Sequence, residues 1–132
     1  MIAIPAFDAL DRPPHLLLVD DDDLGRKTIH QMLERAGHTV TSTGGGAEAL
    51  ELFQEDRPDL VMTDLIMPDT DGLELIQALR KLDRQVKILA ISGGGRVDAT
   101  EYLAVARKFG AVGILTKPFS HQAMTDAIDT LA

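Results

Sequence analysis

The stretch Leu16-Leu17-Leu18-Val19-Asp20-Asp21 decides the fold, because four apolar residues run without interruption into two adjacent acids. A short, continuous apolar run is typical of a strand that is covered on both faces, and the acids then lie at its carboxyl end. Two like charges side by side are costly unless a cation compensates them. The stretch therefore predicts a buried strand that ends at a cation-binding position.

Four further apolar runs follow, and segments with helical periodicity separate them. The predicted strands cover residues 15–19, 38–42, 59–63, 86–91 and 112–115. This alternation is typical of βαβ units, which build a parallel sheet. The first, third and fourth runs are the most continuously apolar, whereas the threonines of the second run and Gly113 in the fifth suit sheet edges. We therefore expect a doubly wound α/β fold with five parallel strands in the order 2-1-3-4-5.

Apolar residues at helical spacing predict the connecting helices, and we assign their apolar stripes to the core. One stripe consists of Leu24, Ile29, Met32, Leu33 and Ala36, closed by Gly37, and another consists of Leu73, Ile76, Leu79 and Leu82. Further helices are expected over residues 47–55 and 99–109. A last helix is expected to begin after Ser120, which suits the N-cap position.

Composition and charge restrict the function further. Residues 1–14 contain three prolines and no periodicity, so we expect an N-terminal arm there and one domain over residues 15–132. A formal charge of -8 argues against direct nucleic-acid binding, and the absence of cysteine excludes disulfides and zinc–thiolate sites. No apolar run approaches the ~20 residues of a membrane span, so a cytoplasmic protein without membrane attachment is expected.

Polar residues follow the predicted strands at the edge where such sheets bind ligands. They are Asp20 and Asp21, then Asp64, then Ser92, with Lys117 after the fifth strand. Three carboxylates are too few for a closed calcium cage but suit a partly hydrated Mg²⁺ ion. We expect the carboxylate of Asp64 at the exposed rim of the sheet, where it can attack phosphorus and form an aspartyl phosphate. Mg²⁺, Lys117 and Ser92 would then neutralise the phosphoryl oxygens.

Three segments resemble the response regulator receiver family. Residues 16–22 resemble its opening strand and acid pair, residues 58–72 its phosphorylation-site segment, and residues 115–119 its lysine–proline signature. Each motif is common by itself, but their order and their positions at strand ends are specific. The resemblance runs from about His15 to the end and implies a flavodoxin-like (βα)5 fold.

The resemblance also implies roles for the acids. Asp64 corresponds to the phosphoacceptor, Asp21 to a direct Mg²⁺ ligand, and Asp20 to a second acid that acts largely through bound water. The main-chain carbonyl of Ile66 corresponds to a further ligand of the ion. Neither Ile66 nor Gly94 offers a side-chain group that orients an attacking water, so we expect a long-lived phosphorylated form. Decay of the phosphorylated form within seconds in magnesium buffer would contradict this hypothesis.

The remaining matches concern the conformational response. Ser92 corresponds to the switch hydroxyl, and Lys117 to the lysine that pairs with the phosphorylated aspartate. The family implies a cis peptide bond between Lys117 and Pro118. Many members carry an aromatic switch residue where this chain has Ile114. The usual rotation of a ring on activation is therefore not expected here.

Two other functions stay open at this point. Residues 44–49, Gly-Gly-Gly-Ala-Glu-Ala, fit the G-x-G-x-x-A fingerprint of a small Rossmann-like nucleotide-binding domain, although they follow the edge-like second strand. A phosphatase with an aspartate nucleophile would use the same chemistry, but the chain is short for the cap such enzymes usually need. A calcium loop over residues 20–31 is excluded, because Leu24 and Gln31 occupy ligand positions.

We expect a single-domain regulator of a two-component or phosphorelay system. It is not an enzyme with a separate substrate, although it would catalyse its own phosphorylation and dephosphorylation. A sensor histidine kinase or a histidine phosphotransfer protein would be the donor. With no further domain after Ala132, the expected output is a phosphorylation-dependent contact of a monomer or weak dimer with a downstream protein. Helix 99–109, the fifth strand and the last helix would form that surface.

Overall fold

The computed structural model describes residues 12–65, 72–93, 104, 107–108, 110–111 and 113–131. Five parallel strands form one sheet in the order β2-β1-β3-β4-β5, which confirms the predicted order. The strands are β1 His15–Val19, β2 Thr39–Thr43, β3 Leu60–Asp64, β4 Lys87–Ser92 and β5 Gly113–Thr116. The first strand has the predicted bounds, and each of the other four begins and ends one residue later than predicted.

The described helices connect these strands and cover both faces of the sheet. They are α1 Asp23–Arg35, α2 Gly46–Glu55, α3 Gly72–Leu82 and α4 His121–Leu131. The Asp22 carboxylate accepts a hydrogen bond from the Gly25 amide at 3.0 Å and caps α1. The Ser120 hydroxyl accepts one from the Ala123 amide at 3.0 Å, which confirms the predicted cap of the last helix.

The core consists of two layers, because successive side chains of a strand point to opposite faces of the sheet. Leu17 and Val19 pack with α2 and α3 on one face, whereas Leu16 and Leu18 pack with α1 and α4 on the other. All four of these β1 side chains are at most 1% exposed. The central strands thereby hold the residues at their carboxyl ends in fixed positions.

Two predicted core residues are wrongly placed by the helical pattern. Leu24 is 74% exposed and Leu82 is 41% exposed, so neither belongs to the core. Leu24 lies in the first turn of α1, five residues before the buried Ile29 and therefore on a different face of the helix, and Leu82 is the last residue of α3. Leu82 follows the buried Leu79 at helical spacing, so periodicity alone does not show that the end of a helix is left uncovered.

Other predictions concern segments that the structure describes only in part. Within the predicted helix 99–109, residues 104, 107 and 108 are helical, and the others lie outside the described residues. Of the predicted arm, residues 12–14 are described. The Arg12 guanidinium donates to both Asp59 carboxylate oxygens, at 2.8 and 3.1 Å. None of the described helices is both long and apolar enough to cross a membrane.

Candidate functional site

The carboxyl edge of the sheet brings the predicted acids and the predicted lysine together. Asp20 follows β1 directly, and Asp64 is the last residue of β3. Asp20, Asp21 and Asp64 each offer a carboxylate oxygen within 4.8 Å of the others. The Lys117 ammonium donates to Asp20 at 2.9 Å and contacts Asp64 at 3.4 Å. Residues separated by up to 97 positions in the chain therefore form one cluster.

Ser92 ends the neighbouring strand β4 and is 6% exposed. Its carbonyl accepts a hydrogen bond from the Lys117 amide at 2.8 Å, which places the two residues side by side at the same edge. The peptide bond between Lys117 and Pro118 is cis, as the resemblance implied. Two other predicted positions, Ile66 and Gly94, lie outside the described residues.

The expected exposure of Asp64 is wrong. The residue is 7% exposed, because it still belongs to a central strand and pairs with Ile91 of β4. Gly72, the first residue of α3, packs directly beneath it: a Cβ atom there would overlap the Asp64 carbonyl oxygen and the Leu65 backbone. The carboxyl group therefore lies in a recess and not on an open rim.

Burial and charge act on the Asp64 carboxyl in the same direction. Burial, together with the hydrogen bond to Asp20 and the charge of that residue, raises the pKa of Asp64 to about 8, and Lys117 opposes the shift. Without a cation, this carboxyl is therefore largely protonated at neutral pH. A protonated carboxyl is a poor nucleophile, and an additional positive charge nearby would favour its ionised form.

The other two charged groups are held in their ionised forms. Burial alone would raise the pKa of Asp20, but hydrogen bonds from Asp64, Lys117 and the Asp22 amide outweigh it and lower the pKa. Burial alone would lower the pKa of Lys117, but its hydrogen bond to Asp20 and the nearby carboxylates outweigh it and raise the pKa. An ammonium and a carboxylate thus stay paired beside a neutral Asp64.

Sequence reasoning missed Arg26, which positions the first acid. Its guanidinium donates to the main-chain carbonyl of Asp20 at 2.7 Å and to the Asp23 carboxylate at 2.7 Å. Gly44 leaves space for it, since a Cβ atom there would lie 2.8 Å from Arg26 Nη1. Gly44 is also the first glycine of the segment that fits a dinucleotide-binding fingerprint. The close approach of Arg26 explains this glycine, and no bound nucleotide is needed to explain it. In the sequence, the signal that could have identified Arg26 is its position about one helical turn after the clustered acids.

Sequence reasoning also missed a cleft of about 780 Å³ beside the acids. Leu24, Ile29 and Met32 of α1 line one wall, and the loop after β5 lines the other. The Lys117 side chain belongs both to this cleft and to the acidic cluster. A molecule that approaches the acids from this side therefore meets an apolar surface first.

The three carboxylates fit a hard divalent cation. Oxygen atoms within 4.8 Å of one another match a single ion that keeps part of its water shell. Burial first, and then the neighbouring Asp20, raise the pKa of Asp64, and a divalent cation among the three carboxylates would oppose this shift. Asp21 is the most exposed of the three acids and leaves the cluster open to solvent on its side.

Comparisons with known proteins agree with this geometry. The family model of the response regulator receiver domain matches residues 16–129. The chemotaxis protein CheY of Halobacterium salinarum is 35% identical over 113 residues, which cover 86% of this chain and 92% of that protein. The response regulator receiver protein CpdR of Brucella abortus is 33% identical over 116 residues, which cover 88% of this chain and 94% of that protein.

Solved structures and longer relatives point the same way. The chemotaxis protein CheY4 of Vibrio cholerae superposes with a TM-score of 0.82 at 26% identity, covering 91% of this chain and 99% of that chain. Longer relatives, named transcriptional regulatory proteins, match over 45% and 26% of their own length. This chain therefore corresponds to only part of each of these longer relatives.

Proposed function

This chain belongs to the response regulator receiver family, and on that premise we propose that Asp64 accepts a phosphoryl group from a phosphohistidine donor, with Mg²⁺ bound at Asp20, Asp21 and Asp64. The observation that supports this most strongly is the cluster itself, in which three carboxylates and the Lys117 ammonium converge at one sheet edge. The main-chain carbonyl of Ile66 is proposed as a further ligand of the ion.

The proposed reaction is a single in-line transfer. An Asp64 oxygen forms the new P–O bond while the donor's P–N bond breaks, and the electron pair of that bond stays on the imidazole nitrogen. Bound Mg²⁺ supplies positive charge to the carboxylates and to the phosphoryl oxygens. Lys117, already 3.4 Å from Asp64, needs only a small shift to pair with the new phosphoryl group. Ser92 would donate its hydroxyl to a second oxygen.

Signalling would follow from the charge that the reaction adds. A phosphoryl group brings a charge of about -2 to Asp64, which attracts Lys117 and the Ser92 hydroxyl. Both residues lie at the same sheet edge, so their displacement would reach the loops beside them. We propose that a downstream protein reads the resulting surface, and that the domain catalyses its own phosphorylation and dephosphorylation. The predicted cytoplasmic location stays a prediction.

The apolar cleft supports the proposed class of donor. We propose that a phosphohistidine carried by a protein approaches the acids across the rim that Lys117, Pro118 and α1 share. Leu24 is 74% exposed on that rim, and an exposed leucine is a suitable contact for an apolar helix face. A sensor histidine kinase or a histidine phosphotransfer protein would present its histidine on such an element. A small phosphodonor needs no such contact.

The acceptor is tested with acetyl phosphate, which requires no protein partner. The purified domain should gain the mass of one phosphoryl group when Mg²⁺ is present and lose that gain when Mg²⁺ is chelated. Asp64→Asn should gain nothing, whereas Asp126→Asn, which neutralises an exposed acid of α4, should behave like the wild type. Equal phosphorylation of Asp64→Asn would show that another residue is the acceptor.

The donor surface is tested by placing a charge on the cleft. Leu24→Glu should slow phosphorylation by a phosphohistidine protein by about tenfold, because the loss of an apolar contact costs about 1–2 kcal/mol. The rate with acetyl phosphate should stay unchanged. Leu82→Glu is the matched control, since Leu82 is 41% exposed at the end of α3 and does not line the cleft. Equal slowing with both donors would assign Leu24 to the site's structure and not to docking.

A further inference from the structure

A second cleft, about 500 Å³ in volume, combines cationic side chains on an acidic protein. Its lining consists of Gln77, Arg80, Lys81, Arg84 and Lys108, so four cations and no acid line it among the described residues. The whole chain has a formal charge of -8 and only 13 Lys and Arg. The proposed phosphotransfer function uses none of these side chains.

Arg80 forms a fixed floor for this cleft. Its guanidinium donates to the carbonyls of Arg84 at 2.8 Å, Val86 at 2.5 Å and Gly110. Gly110 has φ +118°, and a Cβ atom there would lie 2.8 Å from Arg80 Nε, so the glycine permits this close approach. The carbonyls fix the cation without neutralising its charge. Asp83 is the acid that faces Arg80, and its carboxylate also pairs with Arg57 at 3.3 Å.

The other three cations are available at the rim. Lys81, Arg84 and Lys108 are exposed, and their side chains have no hydrogen-bond or ion-pair partner among the described residues. Elsewhere in the described chain, Arg12, Arg26 and Arg57 are each paired with a carboxylate. Three cations without a carboxylate partner among the described residues therefore lie together at this one cleft.

We propose that this cleft binds a small ligand with two or more linked phosphate groups. Lys and Arg side chains are the usual ligands of phosphate oxygens, and several charges on one compact anion can meet all four cations. The volume lies within the range of small-molecule sites, about 300–1,000 Å³. At physiological ionic strength, charges beyond about 8 Å are screened, so a small anion responds to the local cations. A large acidic partner would instead meet the acidic remainder of the surface.

The shared chemistry is a chain of phosphates, which inorganic pyrophosphate and a nucleoside triphosphate both carry. Titrations of the full chain with pyrophosphate, ATP and orthophosphate, followed by calorimetry and by amide NMR shifts without Mg²⁺, distinguish these sources. We expect pyrophosphate to bind at least about tenfold more tightly than orthophosphate. ATP that binds more tightly than pyrophosphate would identify a nucleotide, and equal binding would identify the phosphate chain alone. Orthophosphate that binds as tightly as pyrophosphate would overturn the proposal.

Variants separate this cleft from the acidic site. Arg84→Glu combined with Lys108→Glu should weaken pyrophosphate binding by about tenfold or more, because two attractions become repulsions. Lys27→Glu, which reverses an exposed lysine of α1, should leave binding unchanged. Weakening of pyrophosphate binding by Lys27→Glu to the same extent as by the double variant would overturn the proposal. Wild-type amide shifts that leave residues 80–84 and 108 unmoved would overturn it too, even if the double variant failed to fold.

Discussion

Asp64→Asn should stabilise the metal-free protein, although it removes the proposed acceptor. The Asp64 carboxyl is buried beside Asp20, and these two factors raise its pKa from 3.8 to about 8. The folded state therefore holds a proton on Asp64 that the unfolded chain has already released. For an acid whose pKa is raised by folding, the contribution to stability is present below about pH 4 and is lost as the pH rises through 8. Asparagine has no such proton to lose.

The pKa of Asp64 rises from 3.8 to about 8, which is about four units. At about 1.4 kcal/mol per unit, Asp64→Asn can increase the free energy of unfolding by at most about 6 kcal/mol. We expect about 2–4 kcal/mol, because the carboxyl proton of Asp64 also hydrogen-bonds Asp20 and helps to lower the pKa of that residue. The amide of an asparagine can donate to Asp20 in the same way. The difference in free energy of unfolding between Asp64→Asn and the wild type should be near zero at pH 4, increase up to pH 8 and then stay constant.

Urea unfolding of the two proteins in EDTA, from pH 5 to pH 9, measures this difference directly. Glu51→Gln is the matched control, since it neutralises an exposed acid of α2, and its effect should stay within about 0.5 kcal/mol of zero at every pH. Mg²⁺ at 100 times its Kd should then stabilise the wild type by about 2.7 kcal/mol and Asp64→Asn by less. A stability difference that does not change with pH would refute the reasoning about the buried acids.

Three further predictions concern the same edge of the sheet. Mg²⁺ binding at pH 7 should release up to one proton from the wild type, detected by calorimetry in buffers of different ionisation enthalpy, and none from Asp64→Asn. Gly72→Ala should destabilise the fold by about 2–3 kcal/mol or more in urea unfolding, because the added methyl overlaps the Leu65 backbone. Ser92→Ala should still be phosphorylated by acetyl phosphate, but the NMR shift changes of α4 should decrease; unchanged shifts would assign the response elsewhere.

The strand order can be predicted from the sequence because it depends on how continuous each apolar run is. Uninterrupted Leu16–Val19 marks a strand covered on both sides, and the threonines of β2 mark an edge. Parallel strands bring their carboxyl ends to one edge, so the amino-acid sequence is sufficient to place Asp20, Asp64 and Lys117 together. The one-residue displacement of most strands is of the size expected for element boundaries.

The exposure of individual residues cannot be predicted in this way. The sequence pattern favours an open rim for Asp64, which instead lies in a recess, because the packing of Gly72 beneath it depends on how α3 begins. The predicted apolar stripe of α1 includes Leu24, yet this residue is exposed in the first turn of the helix. Both errors concern the ends of elements, where neighbours distant in sequence decide what is covered. Such neighbours are not visible in local periodicity.

The recess changes how the acidic cluster should be understood. An exposed Asp64 would ionise without help, and a cation would only assist the transfer. A buried Asp64 with a pKa of about 8 is largely neutral in the metal-free protein at pH 7, while Asp20 and Lys117 remain an ion pair. Ionisation of Asp64, the proposed acceptor, is then coupled to cation binding, and so is its nucleophilicity. The same burial that costs stability would therefore make the proposed phosphoryl acceptance conditional on the cation.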